Sequence, residues 1–155
     1  MTKSLEGNYG VYELSSDKRS LDIDTIHGYL TQSYWSPGVP REVVERAIDG
    51  SLCFGVFHQD KQIGFARVVT DKATFAYLAD VFILEPHRGN GLSKRLMEVI
   101  FAHADLQGLR RFMLATKDAH GLYKQFGFTE LGNPARFMEL HRPDVYKAPQ
   151  AIFPT

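Results

Sequence analysis

The chain has a single cysteine, Cys53, so no disulfide can form within it, and a fold held by its own core in a reducing compartment is expected. Net charge of either sign is missing as well. The 18 Lys and Arg residues balance 18 Asp and Glu residues, which leaves no overall field to draw nucleic acid or an anionic membrane as a partner. No apolar run approaches the roughly 20 residues needed to span a bilayer. Met1 to Gly10 is polar and lacks the basic-then-apolar order of a secretion signal, so a cytoplasmic location is expected. The six histidines are scattered, with no i, i+4 His pair and no Cys/His cluster at ligand spacing, so no metal is expected. Repeats and low-complexity tracts are absent too, which excludes solenoids.

What is present is the patterning of one domain over residues 1–155, with 142–155 as a loosely ordered tail. The pattern predicts a strand over 9–14, a helix over 21–34, and a second helix over 40–48. Pro40 stands near the start of that second helix, Glu42 in its first turn, and Val43, Val44, Ala47 and Ile48 on its apolar side. Strands over 51–58 and 62–70 are joined by the polar turn Gln59-Asp60-Lys61, and a turn at 71–73 leads into a strand over 75–84. Such short turns imply an antiparallel meander. Cys53 lies in the first of these strands, where it reads as a small buried residue and not a nucleophile. A helix from Leu92 to about Leu106, a strand over 111–115, a short helix ended by Gly127, a strand starting at Phe128 and a last strand over 136–140 complete the reading.

The strand over 75–84 is almost wholly apolar apart from Asp80, as expected of a strand buried on both faces. It breaks into Glu85-Pro86-His87-Arg88-Gly89-Asn90-Gly91, and a periodic helix follows with Leu92, Leu96, Val99 and Ile100 on one side. Glycines let a backbone approach a ligand closely, and the free N–H groups at a helix start attract anions. The order strand, glycine loop, helix is therefore a setting for phosphate.

These residues resemble the GNAT superfamily of N-acetyltransferases, whose pyrophosphate loop reads Gln/Arg-x-x-Gly-x-Gly/Ala between the fourth strand and the third helix. Arg88, Gly91 and Ser93 occupy those places, with Ser93 a small departure from Gly or Ala. A second stretch, Ala119-His120-Gly121-Leu122-Tyr123-Lys124-Gln125-Phe126-Gly127-Phe128, resembles the closing helix and strand of the same superfamily. The resemblance implies an α/β fold (α+β mixed sheet): a central mixed sheet of six to seven strands flanked by about four helices.

The resemblance also implies acetyl-CoA as cosubstrate. It places the backbone of Val81, Phe82 and Ile83 against pantetheine, and Arg88, Gly89, Asn90, Gly91, Leu92 and Ser93 around the pyrophosphate, with Lys94 toward the adenosine end. Tyr123 would protonate the departing thiolate. Asp80, the one residue of its apolar strand that is charged at neutral pH, is the leading candidate for a base, and His120 is the runner-up. Asp118 reads as a helix cap, and Thr116 stands near where many relatives carry Asn.

For the acceptor, the loop over 31–39 places Tyr34 and Trp35 as an aromatic wall for an amine, or as anchors that pin the loop. Arg67 either clamps a substrate carboxylate or pairs with Asp80 or Asp71. The function implied is acetyl transfer from acetyl-CoA to a primary amine of a small molecule, by direct attack in a ternary complex. Acetylation of a protein lysine or amino terminus, and a noncatalytic acyl-CoA sensor, are the alternatives. A homodimer pairing over 136–140 is the partner suggested by analogy.

Overall fold

Six strands line up in chain order within one sheet: β1 (Thr2–Gly7), β2 (Gly10–Ser15), β3 (Leu52–His58), β4 (Lys61–Thr70), β5 (Phe75–Ile83) and β6 (Arg111–Leu114). The structure, a computed structural model, describes residues 2–7 and 10–147. β1 to β5 are antiparallel neighbours, whereas β5 and β6 run parallel, as a strand pair joined through a helix must. The sheet is mixed, as the sequence implies.

The turn between β4 and β5 is built by Asp71, whose carboxylate accepts the backbone N–H groups of Ala73, Thr74 and Phe75 and the Thr74 hydroxyl. Those four donors hold its carboxyl well below the usual carboxylate range.

Helices cover both faces. On one, α1 (Ile23–Leu30) and α2 (Arg41–Asp49) bury Ile26, Leu30, Val44 and Ile48 against Cys53, Phe65 and Phe82. On the other, α3 (Leu92–Ala102) and α4 (His120–Lys124) set Leu92, Leu96, Met97, Ile100 and Tyr123 on Tyr12, Phe54, Val56 and Val68. β3 shows the pleat at work, sending Phe54 and Val56 to one core and Cys53 to the other. Burial pushes the Cys53 thiol up to about 11, so it stays protonated and inert.

Several boundaries differ from the sequence reading. α1 spans Ile23–Leu30 and not 21–34. Asp22 caps its start by accepting the N–H groups of Asp24 and Thr25, and the Ser33 hydroxyl closes its end by donating to the Leu30 carbonyl at 2.7 Å. α3 stops at Ala102, because His103 turns extended and its Nδ1 accepts the N–H of Asp105 to open a separate turn. β2 begins at Gly10, and Tyr9, expected at its start, lies outside the described residues, as do residues 148–155 of the expected tail, whereas Tyr146 within that tail packs against the α1–α2 core. β1 has no counterpart in the sequence reading, since a short polar stretch carries no strand signal until β2 supplies its hydrogen bonds.

The strands expected from Phe128 and over 136–140 do not form. Phe128 is a plug: its ring lies 5.4 Å from Phe101 and 5.6 Å from Phe112, while its N–H returns to the Tyr123 carbonyl. Pro134–Arg136 makes a 3-10 turn, and Met138 beyond it is 97% exposed. A strand needs a neighbour, and among the described residues β6 pairs only with β5.

Candidate active site

β5 and β6 stay together only from Phe75 and Arg111 to Leu78 and Leu114, and then part. The parting follows from a bulge. Against β4 residues Phe65 and Arg67, β5 presents Phe82 and Ala79, so three steps of β5 face two of β4. Asp80 takes up the extra residue at φ 54°, in the left-handed region. The gap opens into a cleft of about 770 Å³, lined on one side by β5 from Tyr77 to Ile83 and on the other by Leu114, Ala115 and Thr116. Val81, Phe82 and Ile83 all lie along it.

At one end of the cleft, Gly91 stands as the N-cap of α3 at φ 73°, where no side chain caps the helix. The first N–H groups of α3 are left to an outside acceptor. Ser93 lines the cleft, whereas Leu92 sends its side chain into the core at 2% exposure and offers only backbone. Asn90 braces the loop by donating Nδ2 to the His87 carbonyl at 2.9 Å. Arg88 also lines the cleft. Its Nε donates to the Ile83 carbonyl at 2.8 Å and its Nη2 to the Tyr29 hydroxyl at 3.1 Å. Tyr29 in turn stacks on Phe82 at 4.0 Å. Gly89 sits in the loop at φ 81°, and Lys94 is exposed on α3 outside the cleft lining.

Tyr123 rises into the cleft from α4, 7% exposed, and its hydroxyl makes no hydrogen bond among the described residues. Burial pushes its pKa up, with further upward pushes from Tyr34 and Asp118. It is thus a phenol that keeps its proton at neutral pH. α4 ends at Lys124 with Gln125 as its C-cap, earlier than the end at Gly127 expected from the sequence, and a turn carries the chain on to Gly127 at φ 92°. Its start is a correction: Ala119 is the N-cap, and Thr116 Oγ1, not Asp118, receives the Ala119 N–H at 3.1 Å. Asp118 instead lines the cleft, and His120 is exposed and outside the cleft lining.

The other end is bordered by a network of side chains. Asp80 Oδ1 accepts Trp35 Nε1 at 2.9 Å, and Asp80 Oδ2 accepts Arg67 Nε at 2.8 Å. Arg67 Nη1 continues to the Ser51 hydroxyl at 3.1 Å. Of the partners open to Arg67, Asp80 is the one it takes. Each carboxylate oxygen of Asp80 thus accepts one hydrogen bond. Tyr34, in edge contact with Trp35, lies beneath Lys117 Nζ at 5.3 Å, so the loop between α1 and α2 touches both lips of the cleft. Beyond the Arg67–Asp80 pair lies a second cavity of about 80 Å³ between α2 and the sheet.

The Trp35–Asp80 bond spans 45 positions, and Lys117 and Tyr29 carry no local signal of a role, so sequence reasoning missed these contacts. Among the described residues, no group of three or more His, Cys, Asp or Glu could hold a metal, and no helix is long and apolar enough to cross a membrane.

A mixed sheet that parts its one parallel pair above a buried phenol, beside an uncapped helix start, is the architecture of an acyltransferase. The chain belongs to the acetyltransferase (GNAT) family, whose model matches residues 12–128. It is 53% identical to a GNAT-family protein of Xanthomonas campestris pv. campestris, whose crystal structure aligns over 88% of this chain and 97% of that one with a TM-score of 0.86. It is 30% identical over 146 residues, 79% of this chain and 81% of the relative, to a Gibberella zeae protein that bears the name "Putative acetyltransferase". A Clostridium acetobutylicum protein crystallised with acetyl-CoA shares the fold at 14% identity, with a TM-score of 0.61 over 91% of this chain and 96% of its own. The protein is an acetyltransferase enzyme.

Proposed function

We propose that this acetyltransferase moves the acetyl group of acetyl-CoA to a primary amine of a small molecule, by direct attack within a ternary complex. The observation that carries the reading is Tyr123, a buried phenol facing the gap where β5 and β6 separate. Acetyl-CoA supplies a thioester carbonyl and a thiolate leaving group. The residues present fit it: a strand edge freed beyond Leu78, an uncapped helix start at Gly91 and a cleft of about 770 Å³ between them.

In this reading the backbone of Val81, Phe82 and Ile83 bonds the pantetheine amides, as an added strand would. The loop from Arg88 through Gly89, Asn90, Gly91, Leu92 and Ser93 holds the pyrophosphate, and Lys94 stands toward the adenosine end. A backbone N–H along the same strand receives the oxyanion. The amine lone pair forms the new C–N bond, the C–S bond breaks, and the sulfur takes the Tyr123 proton, which solvent then restores. The nitrogen's surplus proton leaves to water in the cleft.

Asp80 serves as a positioning residue here, tying the Trp35 indole of the α1–α2 loop to Arg67 on β4. His120, exposed and outside the cleft lining, has no part in the step. Tyr34 and Trp35 wall the acceptor side and narrow its entrance, which supports a small acceptor over a protein chain.

Calorimetric titration with acetyl-CoA, followed by a thiol-release assay over a panel of small amines, tests the reading. Binding at micromolar strength and amine-dependent thiol release are expected. Acetyl-CoA binding with thiol release only on a protein or peptide acceptor would overturn the small-molecule assignment.

A further inference from the structure

The second cavity has a chemistry of its own. Leu30, Val39, Val44, Ala47, Ile48 and Phe65 make most of its wall. Most of its polar groups are engaged with one another. Arg67 and Asp80 are paired, Arg67 also holds Ser51, and the Ser36 hydroxyl is bonded to Ser33 and the Leu30 carbonyl. A polar ligand group would lose its own water against the six apolar side chains. An apolar group would gain.

The cavity also lies in line with the chemistry. Ser36, Arg67 and Asp80 line both it and the main cleft, so the two spaces meet at the ion pair. A molecule seated in the cavity projects its other end past that pair into the cleft, the side on which Tyr123 lies.

Resting on the acetyl-transfer reading, we infer that the acceptor is a primary amine bearing a short unbranched or once-branched alkyl group, and that the alkyl group occupies this cavity. Size sets the length. The volume of about 80 Å³ is close to half of the ~150 Å³ that admits benzene, which corresponds to about three carbons. The preference is set by α2 through Ala47 and Ile48, which border the space, and not by any residue of the cofactor loop.

The experiment is a thiol-release assay of the purified protein with acetyl-CoA and n-alkylamines from methylamine to hexylamine, with ethanolamine as the polar match to propylamine. kcat/KM is expected to rise roughly tenfold per methylene up to propylamine and fall beyond butylamine, with ethanolamine well below propylamine. Ala47→Leu, which fills the cavity, moves the optimum to shorter amines. Ile48→Ala, which enlarges it, moves the optimum to longer ones, and provides a second reading should the first variant fold poorly. A flat series, or an optimum that neither variant shifts, would overturn the cavity assignment while leaving acetyl transfer intact. Failure to bind acetyl-CoA in parallel calorimetry would overturn the acetyl-transfer reading, and this inference with it.

Discussion

Replacing Arg67 by Met tests whether the ion pair at the bulge holds the site together. The substitution keeps an unbranched apolar stem but leaves the Asp80 carboxylate without its cation. The side chains of Arg67 and Asp80 are 19% and 12% exposed, so the pair is largely withdrawn from water. Breaking a fully buried pair by removing one partner costs about 3–5 kcal/mol. Here Trp35 still donates to the other oxygen and the cleft admits water, so about 2–3 kcal/mol is expected. For a chain of this length that lowers Tm by roughly 5–10 °C. The assay is urea and thermal unfolding of Arg67→Met, Asp80→Asn and the double variant. A neutral amide carries no charge to strand, so the double variant should recover about half of the loss, a coupling of about 1.5 kcal/mol. A single-variant loss below about 0.5 kcal/mol, or strictly additive effects, would refute the reasoning, because the pair would then behave as a surface contact.

Tyr123→Phe should lower kcat by about 100-fold or more while leaving acetyl-CoA affinity unchanged in calorimetry, since it removes a proton donor and no binding group. The Tyr123 pKa is raised in the fold, so its contribution to stability is complete below the ordinary phenol value near 10 and lost as pH climbs through the raised one; the Phe variant should lack that alkaline loss. His87 behaves in the opposite sense. Burial, and then the charge of His58, hold its pKa below the ordinary 6.5, so stability should fall as pH drops below that value, and His87→Asn should flatten the acid limb in a pH series of thermal melts. Gly91→Val places a β-branched residue at φ 73°, which costs about 1–2 kcal/mol of backbone strain. It should weaken acetyl-CoA binding at least tenfold by calorimetry.

The parts of this molecule that sequence makes legible are those whose signal is local. β3 and β4, with the polar turn between them, are dictated by short-range patterning, and they appear where expected. The glycine loop before α3 and Tyr123 before Gly127 are fixed by spacing within a few residues, which is why their places beside the cleft could be read directly. The network at the other end could not. Trp35 meets Asp80 only because a bulge turns Asp80 to the α1–α2 side, and nothing near either residue in the chain announces that meeting. The strand expected over 136–140 fails for the converse reason: its residues suit a strand, but among the described residues β6 offers its pairing to β5 alone. β1 arises where the pattern is silent, since its pairing with β2 and not its composition makes it a strand.

The hydrogen bond from Arg88 to Tyr29 joins the loop before α3 to α1 and, on the proposed reading, the cofactor site to the acceptor site. An anion that draws the guanidinium away releases the phenol. By thermodynamic reciprocity, whatever repositions Tyr29 must change anion affinity by the same factor. The two sites then share a term of free energy, and a dissociation constant measured for either ligand is also a statement about the occupancy of the other.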